Sequence, residues 1–487
     1  MELERAMSWD WFWAPEYAPA RFVVRRLLAL CYAMGFLCVI NQFPALLGTN
    51  GLTPAPRFLR AMSFRRAPSL FHAHYSDRFV VGCGWFGLLL SAAAFLGLTD
   101  SLPLWASMAV WFVLWVLYLS IVNIGRIWYS FGWESLLLEA GFLAVFLGPA
   151  HTEPPVLVIW LLCWLLFRVE FGAGLIKMRG DPAWRNLTAL HHHHETQPMP
   201  GPLSRVFHHL PGPLHRVEVL ANHFTQLVVP FGLFAPQPVA TTAAVIMIVT
   251  QGWLMLSGNF AWLNLITITL AFAAMDTTLL GWVPVGALTP GSAAGTATPL
   301  WHRAAVLALT VLMVVLSYWP VRNLLGRAQV MNRSFNKLHL ANTYGAFGSV
   351  TRVRFEVVLE GRGAEDEQWY EYGFRGKPGE VTRRSPQVAP YHLRLDWLMW
   401  FVAISPSYGR GWLERLVVAM LRDERRILSL LRHNPFPHAP PRHVRVRLFR
   451  YRFSTPTERR ESGAWWVRTP VSELIPAVSL DEVTPDD

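Results

Sequence analysis

Two apolar stretches of this chain carry polar residues at spacings that could do chemistry. In the first, Glu170, Gly174 and Lys177 fall at i, i+4 and i+7, so a helix places them on one face. The two charged groups are then about 10 Å apart along the axis, at ~1.5 Å per residue. In the second, Glu218, Asn222 and Gln226 form a stripe at i, i+4 and i+8. Charges and amides are costly at membrane depth unless they face protein or a wet cavity. Glu170 and Lys177 can therefore order two facing helices as a buried pair. Alternatively, burial lowers the Lys177 pKa toward use as a general base, or Lys177 snorkels at a helix end.

Between these stretches, His191 to His194 precede Glu195. The run invites a metal, but four consecutive side chains on a loop point in different directions while a site needs convergence. No metal and no cofactor are expected. Glu134 and Glu139 lie about 140° apart on a helix, which suits separate Arg partners such as Arg126 better than a carboxylate pair. Gly258, Asn259 and Asn264 read as capping and packing at the start of a span. No phosphate loop, dinucleotide fingerprint, zinc-protease motif or nucleophile elbow is present.

The elements that must position these groups are membrane helices. Of 487 residues, 53% are hydrophobic and only 15% charged, against about 25% charged in soluble domains. The net charge of +11 suits a membrane surface better than nucleic acid, because no binding module accompanies it. All four cysteines lie in apolar segments, so no structural disulfide is expected. The acidic, aromatic start is no signal peptide, and the ending TPDD is no retention signal. Trp9, Trp11 and Trp13 suit the headgroup level.

Spans are expected at about 27–47, 79–98, 102–122, 156–178, 217–235, 239–256, 259–280 and 304–321, with 125–148 re-entrant or an inner helix. The count is eight or nine. Arg21, Arg25 and Arg26 argue for a cytoplasmic start, but the equally basic 48–78 loop conflicts with it. The expected organisation is a lead-in, first span and basic loop (1–78), a helical core (79–321) with a polar loop at 177–216, a linker (322–339) and a soluble domain (340–487). The fold class is a polytopic α-helical membrane bundle followed by a small mixed α/β, strand-rich domain. Strands are expected at 349–361, 367–377 and 443–454, with Val444, Val446, Leu448 and Phe449 inward, and helices near 395–404 and 412–431.

The segments SFGWESLLLEAGFLAVF (130–146), FRVEFGAGLIKMRGDPAWRNLTAL (167–190), HETQPMPGPLS (194–204) and VLANHFTQLVVPF (219–231) closely resemble the lipase maturation factor family. So do SGNFAWLNLIT (257–267), NTYGAFGSVTRVRFEVVLEG (342–361), VAPYHLRLDWLMWF (388–401) and NPFPHAPPRHVRVRLFRYRF (434–453). His193 and Glu195 to Pro198 match the family part, whereas His191, His192 and His194 read as local drift. Where the family often has a Cys before KPG, this chain has Gly376.

The resemblance implies an integral membrane protein that helps secreted lipases fold and assemble. It places the protein in the endoplasmic reticulum membrane, or the inner cell membrane of a bacterial source. A lipase client or chaperone would bind through 340–487. Contact candidates are Arg168, Glu195, Gln197, Glu218, Asn222 and Trp397. The core is also distantly similar to the vitamin-K-dependent carboxylase-like superfamily. That implies an alternative, a membrane enzyme with Lys177, His193 and Glu170 as catalytic candidates.

Overall fold

The computed structural model describes residues 9–283, 298–365 and 367–483. The first eight residues of the lead-in, Asp366 of the hairpin connection and the ending TPDD lie outside them. Six helices are long and apolar enough to cross a membrane, and the protein is an integral membrane protein. They comprise α1 (Ala18–Leu46), α2 (Asp77–Phe95), α3 (Leu104–Ile124), α5 (Val156–Arg179), α8 (Val239–Ser257) and the stretch Leu300–Leu325, which begins with α10 (Leu300–Leu316). The α5 helix is the axis, with 72% of its apolar window buried in protein, while α8 and α10 present most of theirs outward.

Three shorter helices also run between the two ends of the bundle: α4 (Gly132–Ala144), α7 (Gly212–Leu227) and α9 (Leu263–Phe272). The α4 helix starts beside His392 and leads to Phe146, whose carbonyl meets His302 Nε2. The expected span 217–235 is instead α7 followed by a separate turn at Val229–Gly232, because Pro230 cannot donate to a continuing helix. The expected span 259–280 shortens to α9, because Ala261 takes a positive φ of 49° just before it and Asp276 caps a separate turn after it. The nine traverses among the described residues thus divide into six long helices and three short inner ones.

Trp9 and Trp13 mark one end, with the Arg303 guanidinium 5.3 and 5.5 Å from their ring centres. The C-terminal region sits on the other, where Gln42 Nε2 at the end of α1 donates to the His392 carbonyl at 2.7 Å. The N-terminal arginines are not a free basic patch. Arg25 and Arg26 pair with Asp100 at 3.0 and 2.8 Å, and Arg21 donates to the carbonyls of Ala150 and Thr152. Their charge is spent inside the protein, which weakens them as an orientation signal.

The expected polar loop at 177–216 is largely helical. Asp181 Oδ1 accepts from the Ala183 amide and caps a turn at Pro182–Arg185, and α6 (Leu190–Thr196) follows. Only the segments around these short helices are irregular.

The C-terminal sheet contains β1 (Arg354–Arg362), β2 (Tyr370–Glu371), β3 (His443–Phe453) and β4 (Trp466–Ser479), all antiparallel in the order β2-β1-β3-β4. Helices α11 (Arg394–Ile404) and α12 (Trp412–Leu421) pack with it. The expected helix 412–431 is broken by Asp423, which adopts a positive φ of 50°. Sequence reading missed β4: Pro470 and Pro476 interrupt its pattern, and an edge strand tolerates them. Val357, Leu359, Val444 and Val446 join the main core. Val358, Phe449, Tyr451, Phe453 and Trp466 form a second core on the other face. Alternation along β3 places Val444 and Val446 on one face and Phe449, Tyr451 and Phe453 on the other, in continuous register with β1.

Candidate functional site

The two polar stripes do meet. Lys177 Nζ, near the end of α5, donates to Asn222 Oδ1 and Gln226 Oε1 on α7, each at 2.8 Å. It also lies 4.8 Å from the Trp184 ring centre. Gln226 Nε2 donates onward to Glu170 Oε2 at 3.2 Å. Glu170 Oε1 accepts from Gln251 Nε2 of α8 at 2.7 Å, and Gln251 Oε1 accepts from Asn264 Nδ2 of α9 at 2.7 Å. Six buried side chains on four helices thus form one hydrogen-bonded network. Lys177 and Glu170 communicate through Gln226, and no direct ion pair joins them among the described residues.

This network has a direction. Lys177 donates from one end and Asn264 from the other, and both runs terminate on the two oxygens of Glu170. Glu170 accepts at both oxygens. Every donor spent here lies where unpaired amides would be costly, so the network fixes how α5, α7, α8 and α9 pack.

His193 is buried on α6, its ring 4.7 Å from Phe347 and 6.4 Å from Trp184. Burial, with His194 and Lys177 nearby, lowers its pKa to about 3, so it is neutral. Lys177 and His193 both lie near the Trp184 ring, and no hydrogen bond links them among the described residues. Two surface cavities of about 300 Å³ open elsewhere, one beside Tyr372 and Lys377 and one beside Thr196 and Trp400. Neither is lined by Lys177 or His193.

The remaining candidates divide between four places. Arg168 is interior: its guanidinium pairs with Glu139 and donates to the Asn342 carbonyl at 2.8 Å. Glu195 Oε2 accepts from the Phe453 amide at 2.7 Å, and Gln197 Nε2 donates to the Ser257 carbonyl at 2.8 Å. Trp397 is buried against Trp133, ring centres 4.9 Å apart. Glu218 leaves the Lys177 network and turns to His194 and His215, at 3.5 and 3.9 Å.

Sequence reasoning missed the groups that tie the C-terminal region to the bundle. Arg394 of α11 places Nη1 2.7 Å from Glu134 Oε1, both side chains fully buried. Tyr118 donates to the other Glu134 oxygen. Glu139 meets not only Arg168 but also Asn342 Nδ2 at 2.9 Å and Tyr344 Oη at 2.8 Å. Arg354 of β1 donates to the carbonyls of Glu195, Gln197 and Pro198 while pairing with Glu356, which Lys377 also reaches at 2.8 Å. Glu134 and Glu139 therefore do serve separate arginines, Arg394 and Arg168 rather than Arg126. The available signal was charge inside apolar runs, as at Arg394 in HLRLDWLMWF. Alternation suggested instead that Arg354 and Glu356 face solvent, whereas both are buried because β1 is covered on both faces.

This architecture has relatives. The lipase maturation factor transmembrane domain matches residues 19–282 and the lipase maturation factor C-terminal domain matches residues 340–476. Lipase maturation factor 1 of Homo sapiens is 40% identical over 96% of this chain and 88% of its own length. That of Bos taurus is also 40% identical, over 95% of this chain and 89% of its own length. Lipase maturation factor 2 of Homo sapiens is 28% identical over 94% and 82%. No solved structure matches. With both halves of the chain matched in order and the likeness running nearly end to end, the protein belongs to the lipase maturation factor family.

Proposed function

We propose that this maturation factor acts on secreted lipases from the endoplasmic reticulum membrane, holding its C-terminal domain on the lumenal side. The observation that carries this reading is the 40% identity to lipase maturation factor 1 over 96% of the chain. The geometry supports it. The described residues traverse the bundle an odd number of times, with Trp9 at one end and the C-terminal domain at the other. The buried Glu134–Arg394 pair and the hydrogen bonds from Arg354 to the carbonyls of Glu195, Gln197 and Pro198 hold that domain against the bundle. A client or chaperone would meet a platform fixed relative to the bilayer rather than a tethered, freely rotating domain.

The test is rescue. Cells lacking their own lipase maturation factor should regain secretion of active dimeric lipase when given this chain. Arg394→Met should reach the membrane but restore much less activity. A chain that folds in that membrane yet leaves every secreted lipase tested inactive would refute the proposal.

A further inference from the structure

We infer that His194, His215 and Glu218 form a binding site for a divalent transition-metal ion, with zinc the best fit. One ligand atom from each of the three residues lies within 4.8 Å of the others. His194 Nε2 is 3.5 Å and His215 Nδ1 3.9 Å from Glu218 Oε2. Ligand atoms around tetrahedral zinc stand about 3.3 Å apart, given bonds of ~2.0–2.1 Å. The two histidine–carboxylate distances need to close by about 0.2 and 0.6 Å to reach that spacing.

The surroundings point the same way. Both histidines are buried, with 1% exposure each. Both ring nitrogens of His194, Nδ1 of His215 and Oε2 of Glu218 lack a hydrogen-bond partner. Buried polar atoms are rarely left so, and each orphan calls for an explanation. The outer contacts orient the ligands. His215 Nε2 lies 3.3 Å from the His208 carbonyl, which can only accept, so the ring proton belongs on Nε2 and the Nδ1 lone pair faces the site. Glu218 Oε1 accepts from Trp253 Nε1 at 2.7 Å, leaving Oε2 free to ligate. Metal-bound histidines and carboxylates are oriented by such outer partners.

The four-histidine run does not itself make the site. On α6 its side chains diverge by about 100° per residue, and only His194 turns into the cluster. The other two ligands sit at i and i+3 on α7. Two histidines and a carboxylate leave a fourth position for water. The ion would fasten α6 to α7 directly below the backbone carbonyls that Arg354 grips, and so stiffen the seat of the C-terminal domain.

The test uses the full-length chain without a histidine tag, in detergent, stripped with a chelator and titrated with zinc or cobalt alone. One zinc per chain is expected, with the visible absorption of tetrahedral cobalt on substitution. His194→Ala and His215→Ala should each weaken binding at least 100-fold, and Trp253→Phe about 10-fold through loss of the outer hydrogen bond. Glu218→Gln keeps the side-chain shape and should lose the ion while its metal-free melting stays near that of the metal-free parent, which separates ligation from folding. The double variant His191→Ala, His192→Ala should still bind. Absence of a stoichiometric ion, or loss in the His191/His192 variant with retention in His194→Ala, would overturn the proposal.

Discussion

Removing Arg394 alone should loosen the C-terminal domain from the bundle. Arg394→Met strands Glu134 with no cation, at a site where both side chains are fully buried. Breaking one side of such a pair costs roughly 3–5 kcal/mol, whereas replacing both partners with apolar or neutral groups is often close to neutral. Tyr118 and His392 still border the stranded carboxylate, at hydrogen-bond distance and at 3.7 Å, so the lower part of that range applies. A loss of ~3 kcal/mol raises the opening constant of the interface more than 100-fold, at ~1.4 kcal/mol per factor of ten. Native-state hydrogen exchange should read this as matching deprotection of Arg354–Arg362 and His443–Phe453, with α5 unchanged. Glu134→Gln should produce the same pattern, and Glu134→Gln, Arg394→Met should recover most of the protection, a coupling well above the ~0.5 kcal/mol of independent sites. If the two single effects simply add, or if Arg394→Met exchanges like the parent, the ion pair is not what holds the domain.

Other expectations follow from particular contacts. Glu170→Gln should lower the melting temperature in detergent by an amount equivalent to about 1–3 kcal/mol, because its new amide donor faces the donors of Gln226 or Gln251. Adding Lys177→Met should not repair it, since the two residues meet only through Gln226; a double variant melting like the parent would contradict that. Asp181 is held down to about pKa 2, chiefly by its hydrogen bonds from Arg352. Its folded value lies below the ordinary one, so its stabilisation is complete above about pH 4 and is lost as pH falls toward 2. Arg352 is half exposed, so the effect is modest. Protease sensitivity of segment 177–190 should rise on acidification, and Arg352→Ala should flatten that rise. Gly141→Ala places a Cβ 1.8 Å from the Tyr32 hydroxyl and should destabilise by about 1–3 kcal/mol. Gly82→Ala enters open space within α2 and should stabilise slightly, and paired melting curves would separate the two.

By itself the sequence determined the class of the protein and the location of its polar stretches. Long apolar runs in a chain with few charges have one solvent in which they are stable, so the bundle was legible from composition and length. Periodicity placed Glu170 with Lys177 and Glu218 with Asn222 and Gln226 on shared faces, because 3.6 residues per turn is a local rule. Partnership is not local. Lys177 meets Asn222 across 45 residues and Arg394 meets Glu134 across 260, and only packing decided that Gln226 would stand between Lys177 and Glu170. Tertiary structure likewise turned Glu218 away from its own stripe to His194 and His215. It also buried Arg354 and Glu356, because the sheet lies between two cores and its polar face is not exposed to water. Hydrophobic patterning marks which surface leaves the solvent; which charges meet beneath that surface depends on distances the linear chain does not contain.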